Sequence, residues 1–198
     1  MGSATNRWSR EELVEAFDVY QRETAWTWEH MALCRARPVY CSPAACVRLA
    51  QRINALLRLP RDAGSVRADA KRMRFDMARH KPAAGRFDIK LGDGGLVDLE
   101  FAIHTLQLIH HIGLSPSLSA AIAALAEAGL MDGALTDDLR LLLRLLVILR
   151  LVASGGEPAE ASRTLVAEAC GQPDWPALLE AHDAARQRVA TFWKEVRS

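Results

Sequence analysis

The sequence predicts an all-α protein, a bundle of about seven helices, on three observations. Apolar residues recur at three- and four-residue spacing along most of the chain, and no stretch alternates convincingly with period two. Proline, glycine, serine and aspartate fall at the edges of the periodic segments, where caps and turns need them. A chain of 198 residues is long enough to bury a real core. Residues 9–198 are expected to form a single helical domain, with residues 1–8 as linker or expression-derived residues.

The first helix opens with Ser9 and Glu12 as a capping box, and Trp8 is placed to staple onto Leu13. Leu13, Phe17, Tyr20, Thr24, Thr27 or Trp28, and Met31 mark one face of a long helix that Pro38 ends. Ser42-Pro43 starts the next, with Val47, Ala50, Ile53 and Leu57 facing inward and Pro60 as its stop. Ser65 is expected to cap a third, whose apolar stripe is Val66, Ala70, Met73 and Met77. Arg67, Lys71 and Arg74 share a neighbouring face of it, either as a solvated row or as a surface for phosphates or an acidic partner. A motif helix runs from the glycine cluster to near Gly113, and Ser115-Pro116 opens another that closes at Gly129. Thr136 is expected to cap a leucine-rich helix with Asp137 and Asp138 in its first turn, ended by Ser154-Gly155-Gly156. A short helix follows from Ala159 to Ala169. Asp174-Trp175-Pro176 begins the last, with Trp175, Leu179, Val189 and Trp193 as packing residues.

Composition narrows the function. Half of the chain is hydrophobic, a quarter is charged, and the formal charge of +1 argues against a general nucleic-acid binder. No apolar leader opens the chain, and the Leu139–Ala153 run is short and broken by Arg140, Arg144 and Arg150, so no membrane segment is expected. Cys34, Cys41, Cys46 and Cys170 form no CxxC pair and have no histidine at zinc-finger spacing. Buried, reduced thiols and a cytosolic setting are expected.

The densest stretch is Phe87-Asp-Ile-Lys-Leu-Gly-Asp-Gly-Gly-Leu-Val-Asp-Leu-Glu-Phe101. Gly92, Gly94 and Gly95 free the backbone for a tight turn immediately before a helix. Exposed N–H groups at that helix start, with Lys90 beside them, would suit an anion; the competing reading is a tight loop with Asp98 and Glu100 complementing the helix dipole. The motif matches neither the dinucleotide fingerprint nor the P-loop. Asp98 and Glu100 would diverge by about 200° on a helix, which disfavours a shared metal ion. No Ser/His/Asp order and no HExxH occurs. On local chemistry the chain is a binding or packing module.

Two segments carry a resemblance: Ala25-Trp-Thr-Trp-Glu-His-Met-Ala-Leu-Cys-Arg-Ala-Arg-Pro-Val39 and the Phe87–Phe101 motif, with Lys71-Arg-Met-Arg74 between them. Their order and spacing closely resemble the glutamine synthetase adenylyltransferase family, over nearly all of the chain. The resemblance implies a helical domain of the type that follows the nucleotidyltransferase domain in PII-uridylyltransferase-like proteins, here from the C-terminal half. Members of the family use ATP and magnesium to attach AMP to a tyrosine of glutamine synthetase. A second head removes AMP by phosphorolysis, and PII signal proteins and glutamine bias the balance. The chain departs from the complete pattern, because Gly64-Ser65 is followed by helix and no Asp-x-Asp occurs anywhere. It is therefore expected to bind no cofactor and transfer no AMP alone.

The resemblance implies that Lys90, Gly92, Gly94, Gly95, Asp98 and Glu100, with Arg35 and Arg37, face the upstream nucleotidyltransferase domain, as part of the nucleotide cleft or of the domain interface. The alternative is a non-catalytic docking module for glutamine synthetase or a PII protein, with Arg67, Lys71 and Arg74 as its surface. A stand-alone degenerate paralogue is the third reading.

Overall fold

The helix that follows the glycines is apolar on every side, and a helix of that kind has to be surrounded. In the computed structural model, which describes residues 10–154 and 156–198, it is surrounded. Nine α-helices are present among the described residues, with no strand: α1 (Arg10–Glu23), α2 (Thr27–Leu33), α3 (Pro43–Leu57), α4 (Ala63–His80), α5 (Leu96–His110), α6 (Leu118–Glu127), α7 (Leu135–Val152), α8 (Glu160–Ala169) and α9 (Trp175–Val196). Helix α5 packs against α2, α4, α6, α7 and α9, and twelve of its fifteen residues are buried. Helix α8 packs on α7 and α9, while α1 packs on α3 and is tied to α2 by side-chain hydrogen bonds.

The all-α reading holds, with nine helices among the described residues where about seven were expected. The first expected helix is two. The N–H groups of Thr24 and Ala25 both turn back to the Tyr20 carbonyl at 2.9 Å, which ends α1. Glu29 then accepts from the Trp26 N–H at 3.1 Å and from the Tyr20 hydroxyl at 2.9 Å, so one carboxylate caps α2 and ties it to α1. The capping role given to Ser9 and the staple from Trp8 lie outside the described residues.

Three expected caps move. Asp62, not Ser65, caps α4, its carboxylate accepting the Ser65 N–H at 2.7 Å. Carboxylate and hydroxyl compete for the same free N–H groups, and the residue three positions earlier has the extended backbone that a cap requires. Ser117 caps α6, one residue after the proline expected to open it. Thr136 lies inside α7, which starts without a side-chain cap after Ala134. On α3 the inward face is Ile53, Leu56 and Leu57; Val47 and Ala50 are exposed because only the C-terminal turns of that helix meet the core.

Cys34 and Cys170 are buried free thiols as expected, and burial pushes the Cys34 thiol up to about 12. Cys41 and Cys46 correct the expectation of reduced thiols: they form a disulfide across the start of α3, with Cα atoms 5.6 Å apart. A five-residue separation into the first turn of a helix brings two Cβ atoms within bonding reach, a geometry that a search for CxxC spacing passes over. Among the described residues no helix is long and apolar enough to cross a membrane.

Candidate functional site

The glycine loop lies between α4 and α5 and is built around Asp88 and Asp98. Asp88 accepts from the N–H groups of Ala84, Lys90 and Leu91 at 3.1, 3.2 and 2.9 Å, folding the first half of the loop onto its own carboxylate. Burial raises that carboxyl, but the three N–H donors outweigh it and hold the group below the ordinary carboxylate value. Asp98, three residues into α5, reaches back to accept the Gly94 N–H at 2.6 Å. Its other oxygen takes the Arg74 Nε–H at 2.6 Å, and Arg74 also donates to the Leu91 carbonyl at 2.9 Å. Both side chains of this ion pair are buried, so α4, the loop and α5 are fastened at one point.

The N-terminus of α5 is already satisfied. Gly95 N–H bonds to the Gly92 carbonyl at 2.8 Å, Leu96 N–H to Ile89 at 3.0 Å and Val97 N–H to Lys90 at 3.1 Å. These three N–H groups are spent on the loop itself.

Helix α9 completes the loop through a residue that sequence reasoning missed. Arg186 donates through Nε to the Asp93 carbonyl at 2.8 Å and through Nη1 to the Arg86 carbonyl at 3.0 Å. Gly94 has φ +69°, and a Cβ there would overlap the Arg186 carbonyl oxygen. At Gly92 a Cβ would stand 2.5 Å from Arg186 Nη2. Gly92 and Gly94 therefore stand where α9 approaches the loop too closely for a side chain, while a Cβ at Gly95 would meet the loop's own carbonyls. Arg186 carries one sequence signal, its place one step from the buried α9 stripe of His182, Ala185 and Val189. Nothing in the sequence says that it meets a loop 93 residues earlier. Arg188 was missed in the same way: it makes a two-bond pair with buried Asp138, at 2.9 and 2.5 Å, joining α9 to α7.

The candidate residues separate into three groups. Gly92, Gly94, Gly95 and Asp98 are buried together in the loop, and Lys90 stands exposed at its edge. Glu100 turns to the other side of α5, where it holds Arg35 at 2.6 Å, so the two acids of Asp98-Leu-Glu100 each meet a separate arginine. Arg37 is exposed beside Pro38 and takes no part in the loop. The basic row of α4 is broken: Lys71 is exposed, Arg67 donates to the Val196 carbonyl at 2.9 Å, and Arg74 is the buried partner of Asp98.

A family profile described as GlnD PII-uridylyltransferase matches residues 66–196, which runs from the first turn of α4 to the end of α9 and includes the glycine loop. The chain belongs to that family. A second profile, Glutamate-ammonia ligase adenylyltransferase, matches residues 12–47, so the two account for the chain in order. Curated relatives that the chain is similar to carry the name bifunctional glutamine synthetase adenylyltransferase/adenylyl-removing enzyme. One from Agrobacterium fabrum is 38% identical over 175 residues, 82% of this chain and 18% of its own length. Another from Caulobacter vibrioides is 46% identical over 126 residues, 61% of this chain and 13% of its own. A third from Mesorhizobium japonicum is 38% identical over 128 residues, 64% of this chain and 13% of its own. The resemblance read from the two motif segments is thus borne out, and the chain spans less than a fifth of these relatives.

Proposed function

We propose that this chain is the helical domain of the C-terminal half of a bifunctional glutamine synthetase adenylyltransferase. The parent enzyme would transfer AMP from ATP, with magnesium, to a tyrosine of glutamine synthetase in the cytoplasm, under control of a PII protein. The observation that carries this reading is the succession of the two family matches, 12–47 and then 66–196, in a chain without an Asp-x-Asp pair. The domain contributes shape rather than chemistry. Its glycine loop, closed by Asp88, Asp98, Arg74 and Arg186, forms a stiff ledge that offers the upstream nucleotidyltransferase domain the Lys90 ammonium and little else to bind. Lys90, and Arg35 across α5, are the residues to bet on at that interface.

The test is transfer of radiolabelled AMP to glutamine synthetase by this chain alone and by the chain extended upstream through the nucleotidyltransferase region. Transfer by the extended protein only is the expected result, and transfer by the short chain overturns the reading. Within the extended enzyme, Lys90→Ala is expected to lower the rate at least several-fold, and wild-type kinetics would remove Lys90 from the interface.

A further inference from the structure

Helices α4 and α9 both lie on α5 but scarcely on each other. Between them runs an open valley of about 880 Å³ with the buried Arg74–Asp98 pair in its floor. Its ends are closed. At one, Arg67 of α4 donates to the Val196 carbonyl of α9; at the other, Arg186 of α9 holds the glycine loop through Asp93. The lining runs from Ala68 to Ala78 on α4 and from Gln187 to Arg197 on α9, about 15 Å along each helix at the α-helical rise, the length of about three turns.

We propose that this valley is a docking surface for an acidic amphipathic helix of a partner protein. The proposal does not depend on the assignment of the parent enzyme. Three features point to that occupant. The valley has small residues where a helix would approach, Ala68, Ala78 and Ala190, so a backbone can come close. On its α4 wall Phe75 is 63% exposed, an aromatic ring that the fold itself does not cover. Its rims are cationic: Lys71 and Arg72 on one side face Lys194 and Arg197 on the other, and Asp93 is the one acidic side chain lining it besides the neutralised Asp98. Among the described residues neither lysine has an acidic partner; Arg72 is held by Asp69, and Arg197 lies over the Trp193 ring at 5.7 Å. An apolar stripe flanked on both sides by glutamate or aspartate matches this arrangement of apolar wall residues, a neutralised ion pair in the floor and two positive rims. A nucleic-acid backbone matches it less well, since it would leave Phe75 and the alanines without an apolar counterpart and the chain as a whole carries only +1.

The probe is a fluorescein-labelled helical peptide of about 20 residues with leucine at i, i+3, i+4 and i+7 and glutamate on both flanks. A lysine-flanked twin and a single-stranded oligonucleotide serve as comparisons. Anisotropy titration of the full chain is expected to give saturable binding of the acidic peptide only. That binding should weaken at least tenfold in K71E/K194E and several-fold in Phe75→Ser. All three substituted side chains are exposed, so the variants are expected to keep the wild-type circular dichroism spectrum and melting temperature. No binding at 100 µM peptide (roughly the weakest affinity worth docking), equal binding of the twin, equal binding of the oligonucleotide, or indifference to the substitutions would each overturn the proposal. A dimer of this chain that K71E/K194E dissociates would overturn it as well, because the valley would then hold a second copy.

Discussion

The N-terminal helices and the α5 neighbourhood are made from the same kinds of residue and are held very differently. In α5 even Asp98, His104, Thr105 and Gln107 are buried; Arg74 fastens the N-terminal end, and at the C-terminal end Arg58 donates to the His111 carbonyl while the His111 ring meets the Leu59 carbonyl. In α3 three residues of fifteen are buried, and on α1 Leu13, Val19 and Tyr20 are exposed. Trp26 and Trp28, which look like core residues by type, are 66% and 49% exposed on either side of the α2 start. A residue's tolerance to change should therefore follow its distance from α5, not its chemistry. The exposed aromatics of this N-terminal region sit in the stretch matched by the adenylyltransferase profile, while α5 lies in the stretch matched by the uridylyltransferase profile.

The sharpest break in this contrast is Gly94→Ala. Its positive φ and the Arg186 carbonyl leave no room for a methyl group, so the loop must leave α9. A loss of more than about 3 kcal/mol is expected in urea unfolding. Wild-type stability would mean that the loop and α9 can separate freely.

Next in size is the Arg74–Asp98 pair. Asp98→Ala leaves a buried guanidinium unpaired and is expected to cost about 3–5 kcal/mol. The double variant R74M/D98L should recover much of that loss, because it removes both charges. If the double variant is as unstable as the single one, the pair is not the fastening described here.

Acid should act on the packed part first. Burial lowers the His104 imidazole to about 4; its Nδ1–H donates to Gln107 Oε1 at 2.7 Å, and its Nε2 has no partner. His182, buried against Phe87, is lowered to about 4 by burial and then by the Arg186 guanidinium. The unfolded chain takes up these protons near pH 6.5, before the folded one does, so stability is full above that pH and declines as pH falls towards 4. By pH 5 the loss should be on the order of 2 kcal/mol for each histidine. Denaturant midpoints at pH 7.5 and pH 5 measure it, and equal stability at the two would place both imidazoles in contact with water.

The smallest effect is expected outside this packed region. Arg35 and Glu100 form a partly exposed pair on the far side of α5, and Arg35→Ala should change stability by less than about 1 kcal/mol. A larger loss would extend the rigid part to the segment after α2.

Much of this architecture could be read from residue spacing, because helix periodicity and proline or glycine stops act within a few positions. The α3, α8 and α9 starts fell where Pro43, Ala159 and Asp174 put them. Where two polar residues compete for one cap, as Asp62 and Ser65 do, spacing ranks both equally and the backbone decides. The break at Thr24–Trp26 escaped notice because Tyr20, Thr24 and Trp28 continue the same stripe through it. The glycine motif was legible as the organising stretch, whereas its partner Arg186 was not.

The sequence alone determined the helical class, the central position of the Phe87–Phe101 stretch and the family. Each depends on residue type and spacing along a short length of chain. Only the tertiary structure decided that the first N–H groups of α5 bond back into the glycine loop, that Arg74 lies inside rather than in a surface row, and that α4 and α9 leave a valley between them. Those outcomes depend on which side chain and which carbonyl arrive at the same point from residues far apart in sequence. Periodicity fixes the face a residue occupies on its own helix but carries no information about what another helix brings to meet it.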